Sequence, residues 1–143
     1  MKADYFSEDI IEFISLLTEH EVKYLIVGGE AVIYYGYLRL TGDVDFFYSS
    51  DDDNVPGIDQ KEEFKKDGYV IQFGVPPNRI DLMNSIDGVD FEEAWVNMKS
   101  ENLETSSKTI PIYYLGLEQL IKNKKASGRD KDHDDLSYLI KIR

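Results

Sequence analysis

The stretch Leu25-Ile26-Val27-Gly28-Gly29, followed by Thr41-Gly42-Asp43-Val44-Asp45-Phe46, constrains this chain more than any other. An apolar strand ends in two glycines, and a second apolar strand carries two aspartates two residues apart. Alternation along a strand puts Asp43 and Asp45 on one face and Val44 and Phe46 on the other, toward a core. Two carboxylates on one face contribute little to stability and suit a divalent metal ion.

A chain of 143 residues is expected to form a single domain, 1–143, with room for a sizeable core. Its apolar fraction of 42% is that of a globular protein. Cysteine is absent, which excludes disulfides and thiolate metal sites. No basic segment followed by an apolar run opens the chain, and no stretch reaches membrane-spanning length. The expectation is a soluble cytoplasmic protein with no membrane partner. A formal net charge of −12 repels a phosphate backbone and disfavours broad nucleic-acid binding, though a local basic patch is compatible with it.

In chain order, residues 7–20 read as a helix with Ser7 as N-cap and Glu8 and Asp9 in its first turn. Val22 to Val27 is a buried strand, and Gly28-Gly29 opens a helix from Glu30 to about Tyr35, closed by Gly36. Leu38 to Tyr48 contains the strand with the two aspartates. Gln60 to Lys66 reads as a helix, and Tyr69 to Gly74 with Arg79 to Met83 as a hairpin across Pro76-Pro77. Asp90 caps a helix through Met98, Thr109 to Tyr113 is a last strand, and Leu117 to Lys125 is a helix ended by Gly128. Asp130 starts a final helix with Leu136, Leu139 and Ile140 facing inward. The expected fold is mixed α/β (α+β): a small twisted sheet of about five strands covered by helices.

Asp81 lies between Ile80 and Leu82, so a third acid occupies an apolar strand. Charge in such a setting needs a partner. Asp43, Asp45 and Asp81 are therefore candidate metal ligands, and magnesium fits, because it takes one or two carboxylates and completes its shell with water and phosphate oxygens. Two such ions can activate an attacking oxygen and steady a leaving one. Gly28 and Gly29 allow close approach of a phosphate, and the helix after them offers free N–H groups. The bland alternative is a pair of exposed strand acids and a simple turn. The three acids together with the glycine pair favour the metal-and-phosphate reading.

Val27-Gly28-Gly29, Asp43-Val44-Asp45-Phe46 and Ile80-Asp81-Leu82 together resemble the polymerase-beta-type nucleotidyltransferase superfamily. The resemblance covers most of the chain and is closest to the small stand-alone bacterial members, of the minimal or toxin–antitoxin type. Arg39-Leu40-Thr41-Gly42-Asp43-Val44-Asp45 and the segment from Leu120 to Asp132 share their texture. The resemblance implies that Asp43 and Asp45 bind the metals carrying a nucleoside triphosphate, with ATP the expected one. It implies that Asp81 binds a second magnesium and helps deprotonate the acceptor hydroxyl, while Gly28 and Gly29 hold the triphosphate. Transfer of a nucleoside monophosphate with release of pyrophosphate by position and charge needs no His or Ser nucleophile. Small enzymes of this type also occur as the antitoxin of a toxin–antitoxin pair, so the acceptor is expected to be a small molecule or a partner protein such as a toxin.

Among the cations, Arg39 and Lys122 are the preferred phosphate partners, with Lys125, Arg129 and Lys131 behind them. Any single lysine is more often only a solvated charge. Glu30 follows the glycines where a phosphate should sit, and is expected to point away. Asp51 to Glu62 is not a calcium loop, because Pro56 stands where a turn glycine is required. His20 and His133 lack zinc-ligand spacing, and Trp95 reads as core. Tyr34, Tyr35 and Tyr37 are candidates for a partner or homodimer surface, with core packing as the alternative. The competing functional reading is a non-catalytic binding protein on the same fold, an antitoxin or scaffold; intact acids argue against it, and the shortness of the chain argues for it.

Overall fold

A computed structural model of the chain describes residues 5–51, 54, 68 and 70–143. Helix α1 (Glu8–Glu19) starts at Ser7, whose hydroxyl accepts the Ile10 N–H at 3.4 Å. Strand β1 (Tyr24–Val27) is buried throughout and passes directly into α2 (Gly28–Tyr34). Strands β2 (Asp43–Tyr48), β3 (Val70–Phe73) and β4 (Arg79–Met83) follow. Helix α3 (Phe91–Val96) is capped by Asp90, which accepts the Glu93 N–H at 2.8 Å. Then come β5 (Lys99–Glu104), β6 (Thr109–Tyr114), α4 (Leu117–Ser127) and α5 (Asp132–Ile142).

The described strands form one six-stranded sheet in the order β3-β4-β2-β1-β6-β5. β2 runs antiparallel to β1 and parallel to β4; β1 and β6 are parallel; the outer pairs β3-β4 and β5-β6 are antiparallel. Each face is covered. On one side Tyr24, Ile26, Val44, Phe46 and Ile112 pack with Ile10 and Ile14 of α1. On the other, Leu25, Val27 and Phe47 pack with Ala31 of α2, Leu120 of α4 and Leu139 of α5. The period-two alternation along β2 thus divides its side chains between two apolar layers and leaves Asp43 and Asp45 together at the start of the strand.

The mixed fold agrees with the sequence reading, but the sheet has six strands rather than about five. The additional strand, β5, is a polar edge strand whose one fully buried side chain is Leu103, so its pairing with β6 holds it in the sheet. Helix α2 begins at Gly28 instead of Glu30, and α5 at Asp132 instead of Asp130. On α5 the buried stripe runs through Asp132, Asp135 and Leu139, which puts Ile140 on its margin, 41% exposed rather than inward. The helix expected over Gln60 to Lys66 lies outside the described residues. Tyr34 stacks on Tyr114 at 4.0 Å, Tyr35 donates to the Leu115 carbonyl at 2.7 Å, and Tyr37 stacks on Tyr138 at 4.9 Å. All three are engaged within the chain, as the core-packing alternative has it. Among the described residues no helix is long and apolar enough to cross a membrane.

Phe46 is fully buried between Phe13 and Tyr24, with ring centroids at 5.1 and 5.6 Å. Phe46→Ala should cost about 3–5 kcal/mol of unfolding free energy, read from urea denaturation followed by far-UV circular dichroism.

Candidate active site

Strand register builds the acidic cluster. Asp45 is level with Asp81 on the neighbouring parallel strand β4, and with Val27, the last residue of β1, on the other side. Asp43 is level with Arg79. One carboxylate oxygen from each of Asp43, Asp45 and Asp81 lies within 4.8 Å of the others. Such crowding raises the energy of the charged forms. Burial, reinforced by the charges of Asp43 and Asp81, pushes the Asp45 carboxyl up to about 7.

Arg79 is the counter-charge. Its Nε donates to Asp81 Oδ1 at 2.9 Å, and its Nη2 reaches Asp43 Oδ2 at 2.6 Å and Asp81 Oδ2 at 3.1 Å. Arg79 was not singled out from the sequence. The signal was present: Arg79-Ile80-Asp81 alternates on a strand, so Arg79 and Asp81 share a face.

The donor set suits a hard divalent cation: carboxylate oxygens from two adjacent strands, close enough to share one ion. The Asp45 Oδ1 atom is buried and has no hydrogen-bond partner, a position that coordination would satisfy. The guanidinium of Arg79, its side chain 32% exposed, must withdraw from Asp43 and Asp81 for an ion to take both. A partly exposed ion pair of this kind is individually weak, so a divalent ion can displace it.

Gly28 closes the cluster from the side of α2. Its φ of 65° suits glycine, and a Cβ there would overlap Asp45 Oδ2. A Cβ on Gly29 would come within 2.9 Å of Thr41 Oγ1 and 3.0 Å of Arg39 Nη2. These glycines hold the backbone against the site. They border a cavity of about 320 Å³ whose lining also includes Asp43, Asp45 and Asp132, with Arg39, Lys124, Arg129 and Lys131 as its cationic wall.

Buried acids on α5 hold that wall. Arg39 is gripped by Asp135 through Nε at 3.0 Å and Nη2 at 3.1 Å. Lys124, 3% exposed, pairs with Asp132 at 2.8 Å and Asp135 at 3.3 Å. Asp132 also accepts from Arg129 Nε at 2.9 Å and from the Ser127 hydroxyl at 2.6 Å. Burial works to raise Asp132, but the hydrogen bonds from Lys124, Ser127 and Arg129 hold it well below the usual carboxylate range. Lys124, Asp132 and Asp135 were also not singled out in sequence; only their helical spacing hints at one shared face.

The candidate residues therefore divide. Asp43, Asp45, Asp81, Gly28 and Gly29 come together, and Arg39 reaches the same cavity. Lys122 does not: it pairs with Glu93 at 2.8 Å on the surface and lines neither described cavity. Arg129 and Lys131 do reach it, and Lys125 does not. Glu30 lies outside its lining; it faces a second cavity and accepts a hydrogen bond from Tyr5 at 3.0 Å.

The raised Asp45 carboxyl has a consequence for the metal-free protein. A folded value of about 7, against about 3.9 for a free aspartate, favours the protonated form. Its contribution to stability is fully present below the unfolded value and is lost as pH rises through the folded one. The melting temperature of wild type relative to Asp45→Asn should therefore fall across that window. Added magnesium should reverse the fall at its alkaline end.

A family model described as "Nucleotidyltransferase of unknown function (DUF6036)" matches residues 8–140. No curated protein matches the chain. The matched region runs from the first residue of α1 nearly to the end of α5 and takes in the acidic cluster, the glycine pair and the cationic wall together. The chain belongs to this nucleotidyltransferase family.

Proposed function

We propose that the protein is a metal-dependent nucleotidyltransferase that moves a nucleoside monophosphate from a nucleoside triphosphate, ATP in the first instance, to a hydroxyl acceptor. One observation carries the reading. Asp43 and Asp45, the cations Arg39, Arg129 and Lys131, and the glycines Gly28 and Gly29 all line one cavity. That arrangement suits a polyphosphate: carboxylates for its metal ions, cations for its outer charge and close-set backbone for its oxygens.

In this reading Asp43 and Asp45 would hold the magnesium that accompanies the triphosphate, and Asp81 would help to hold a second ion. Bound magnesium supplies charge neutralisation at the phosphates and lowers the pKa of the acceptor hydroxyl. The acceptor oxygen bonds to the α-phosphorus, the bond from that phosphorus to the bridging oxygen breaks, and pyrophosphate leaves with the electron pair. The hydroxyl proton passes to the Asp81 carboxylate. Arg39, fixed by Asp135, steadies the leaving charge. Arg129 is 57% exposed and can turn toward a phosphate without unmaking the buried Lys124–Asp132 pair.

The non-catalytic reading is favoured by the engagement of Arg79 with Asp43 and Asp81. Labelled ATP distinguishes the two. With magnesium the wild-type protein should bind ATP and release pyrophosphate in the presence of a hydroxyl acceptor. Asp43→Asn with Asp45→Asn should lower turnover to below about one-thousandth while the circular dichroism spectrum is unchanged. Full activity in the double variant would refute the metal assignment, and failure to bind magnesium-ATP would refute the enzyme reading.

A further inference from the structure

Two cavities meet at Arg39, Leu40, Thr41 and Asp43. The first, with the glycines and the cationic wall, is the nucleotide side of the reading above. The second, of about 350 Å³, lies toward α1 and has a different chemistry. Its lining is mixed: Phe6, Ile10, Ile33, Val44 and Pro77 give it an apolar side beside polar groups such as Ser7, Thr41 and Asn78, and its buried charged side chain is Glu30. Its volume falls in the range of small-molecule sites. We infer that this second cavity is the acceptor site, and that it takes a small hydroxyl-bearing amine with an apolar body, the ammonium group recognised by Glu30 and the hydroxyl presented at Asp43. The inference rests on the nucleotidyltransferase reading and names its substrate class.

The argument is one of sign and economy. Glu30 is 7% exposed, and an acid buried to that degree needs strong partners. It has the neutral hydroxyl of Tyr5 at 3.0 Å. Burial raises its pKa, the Tyr5 hydrogen bond and Arg39 oppose the rise, and Asp43 adds to it. The nearest cation in the lining, Arg39, is already gripped on two nitrogens by Asp135. Among the described residues Glu30 makes no ion pair, and a cationic guest would supply that charge, whereas a triphosphate would be repelled. Asp43 belongs to both linings, so a hydroxyl held on the α1 side of it meets a nucleotide held on the other.

Tyramine and N-acetyltyramine carry the same ring and hydroxyl and differ in the positive charge. Each is titrated into the full chain at mildly alkaline pH, with binding followed by amide chemical shifts. Tyramine should bind about tenfold tighter than its acetylated form, with shifts around Phe6, Ile10 and Glu30. Glu30→Gln, which keeps the shape and the Tyr5 partner, should remove that difference. With magnesium and labelled ATP present, tyramine should become labelled. Equal binding of the two compounds, shifts confined to the Gly28–Gly29 cavity, displacement of tyramine by magnesium-ATP, or a bound tyramine that stays unlabelled while ATP is turned over would each overturn the inference. If Glu30→Gln does not fold, the comparison of the two compounds on the wild type decides. Lack of magnesium-ATP binding is a separate result, and it marks failure of the parent reading.

Discussion

Three carboxylates forced together by strand register are the constraint from which the rest of the site follows. Parallel pairing of β2 with β4 sets Asp45 level with Asp81, and the two-residue period adds Asp43 on the same face. Nothing about the sheet requires charge there. Burial and mutual repulsion raise the Asp45 carboxyl, and one of its oxygens has no hydrogen-bond partner among the described residues. Arg79, level with Asp43, partly offsets this from the same strand as Asp81. A guanidinium in that position acts as an internal counter-ion, the place a divalent metal would take in the proposed function.

A second charge division runs across the molecule. The cationic wall of the cavity consists of side chains paired with acids of α5: Arg39 with Asp135, and Lys124 and Arg129 with Asp132. This accounts for part of the acidity of a chain of net charge −12. It also ties α4 and α5 to the end of the sheet that carries the acids, so the packing of the last two helices and the geometry of the cavity are one problem. The buried pair Lys124–Asp132 is costly to desolvate, and its value is better sought in orientation than in stability.

The acidic half of the site was legible in sequence because alternation along a strand is local. Wherever the sheet forms, Asp43 and Asp45 share a face, and an acid between Ile80 and Leu82 must be excused from the core. The cationic half was legible only in part: Arg39, Arg129 and Lys131 were among the candidates and line the cavity, whereas Lys122 and Lys125 do not and Lys124 was passed over. Lys122 and Lys124 lie two residues apart on one helix and point roughly opposite ways, so choosing between them requires knowing which side of α4 meets α5. That side proves to be Lys124, which is buried, while Lys122 turns to Glu93. Strand β5 was missed for a related reason: its sequence, Lys99-Ser100-Glu101-Asn102-Leu103-Glu104, has no apolar alternation, and its place is set by hydrogen bonding to β6. Arg79 was the avoidable omission, since the same alternation that located Asp81 places it alongside.

The central claim is that the cluster of Asp43, Asp45 and Asp81 is a metal site in which Arg79 stands in for the ion. Anomalous diffraction from crystals of the protein grown with manganese and a non-hydrolysable ATP analogue tests it directly. The account predicts an anomalous peak among the three carboxylates, within coordination distance of Asp45 Oδ1, and the Arg79 side chain withdrawn from Asp43. Bound analogue with no peak at the cluster, and Arg79 still paired with Asp43 and Asp81, would contradict it.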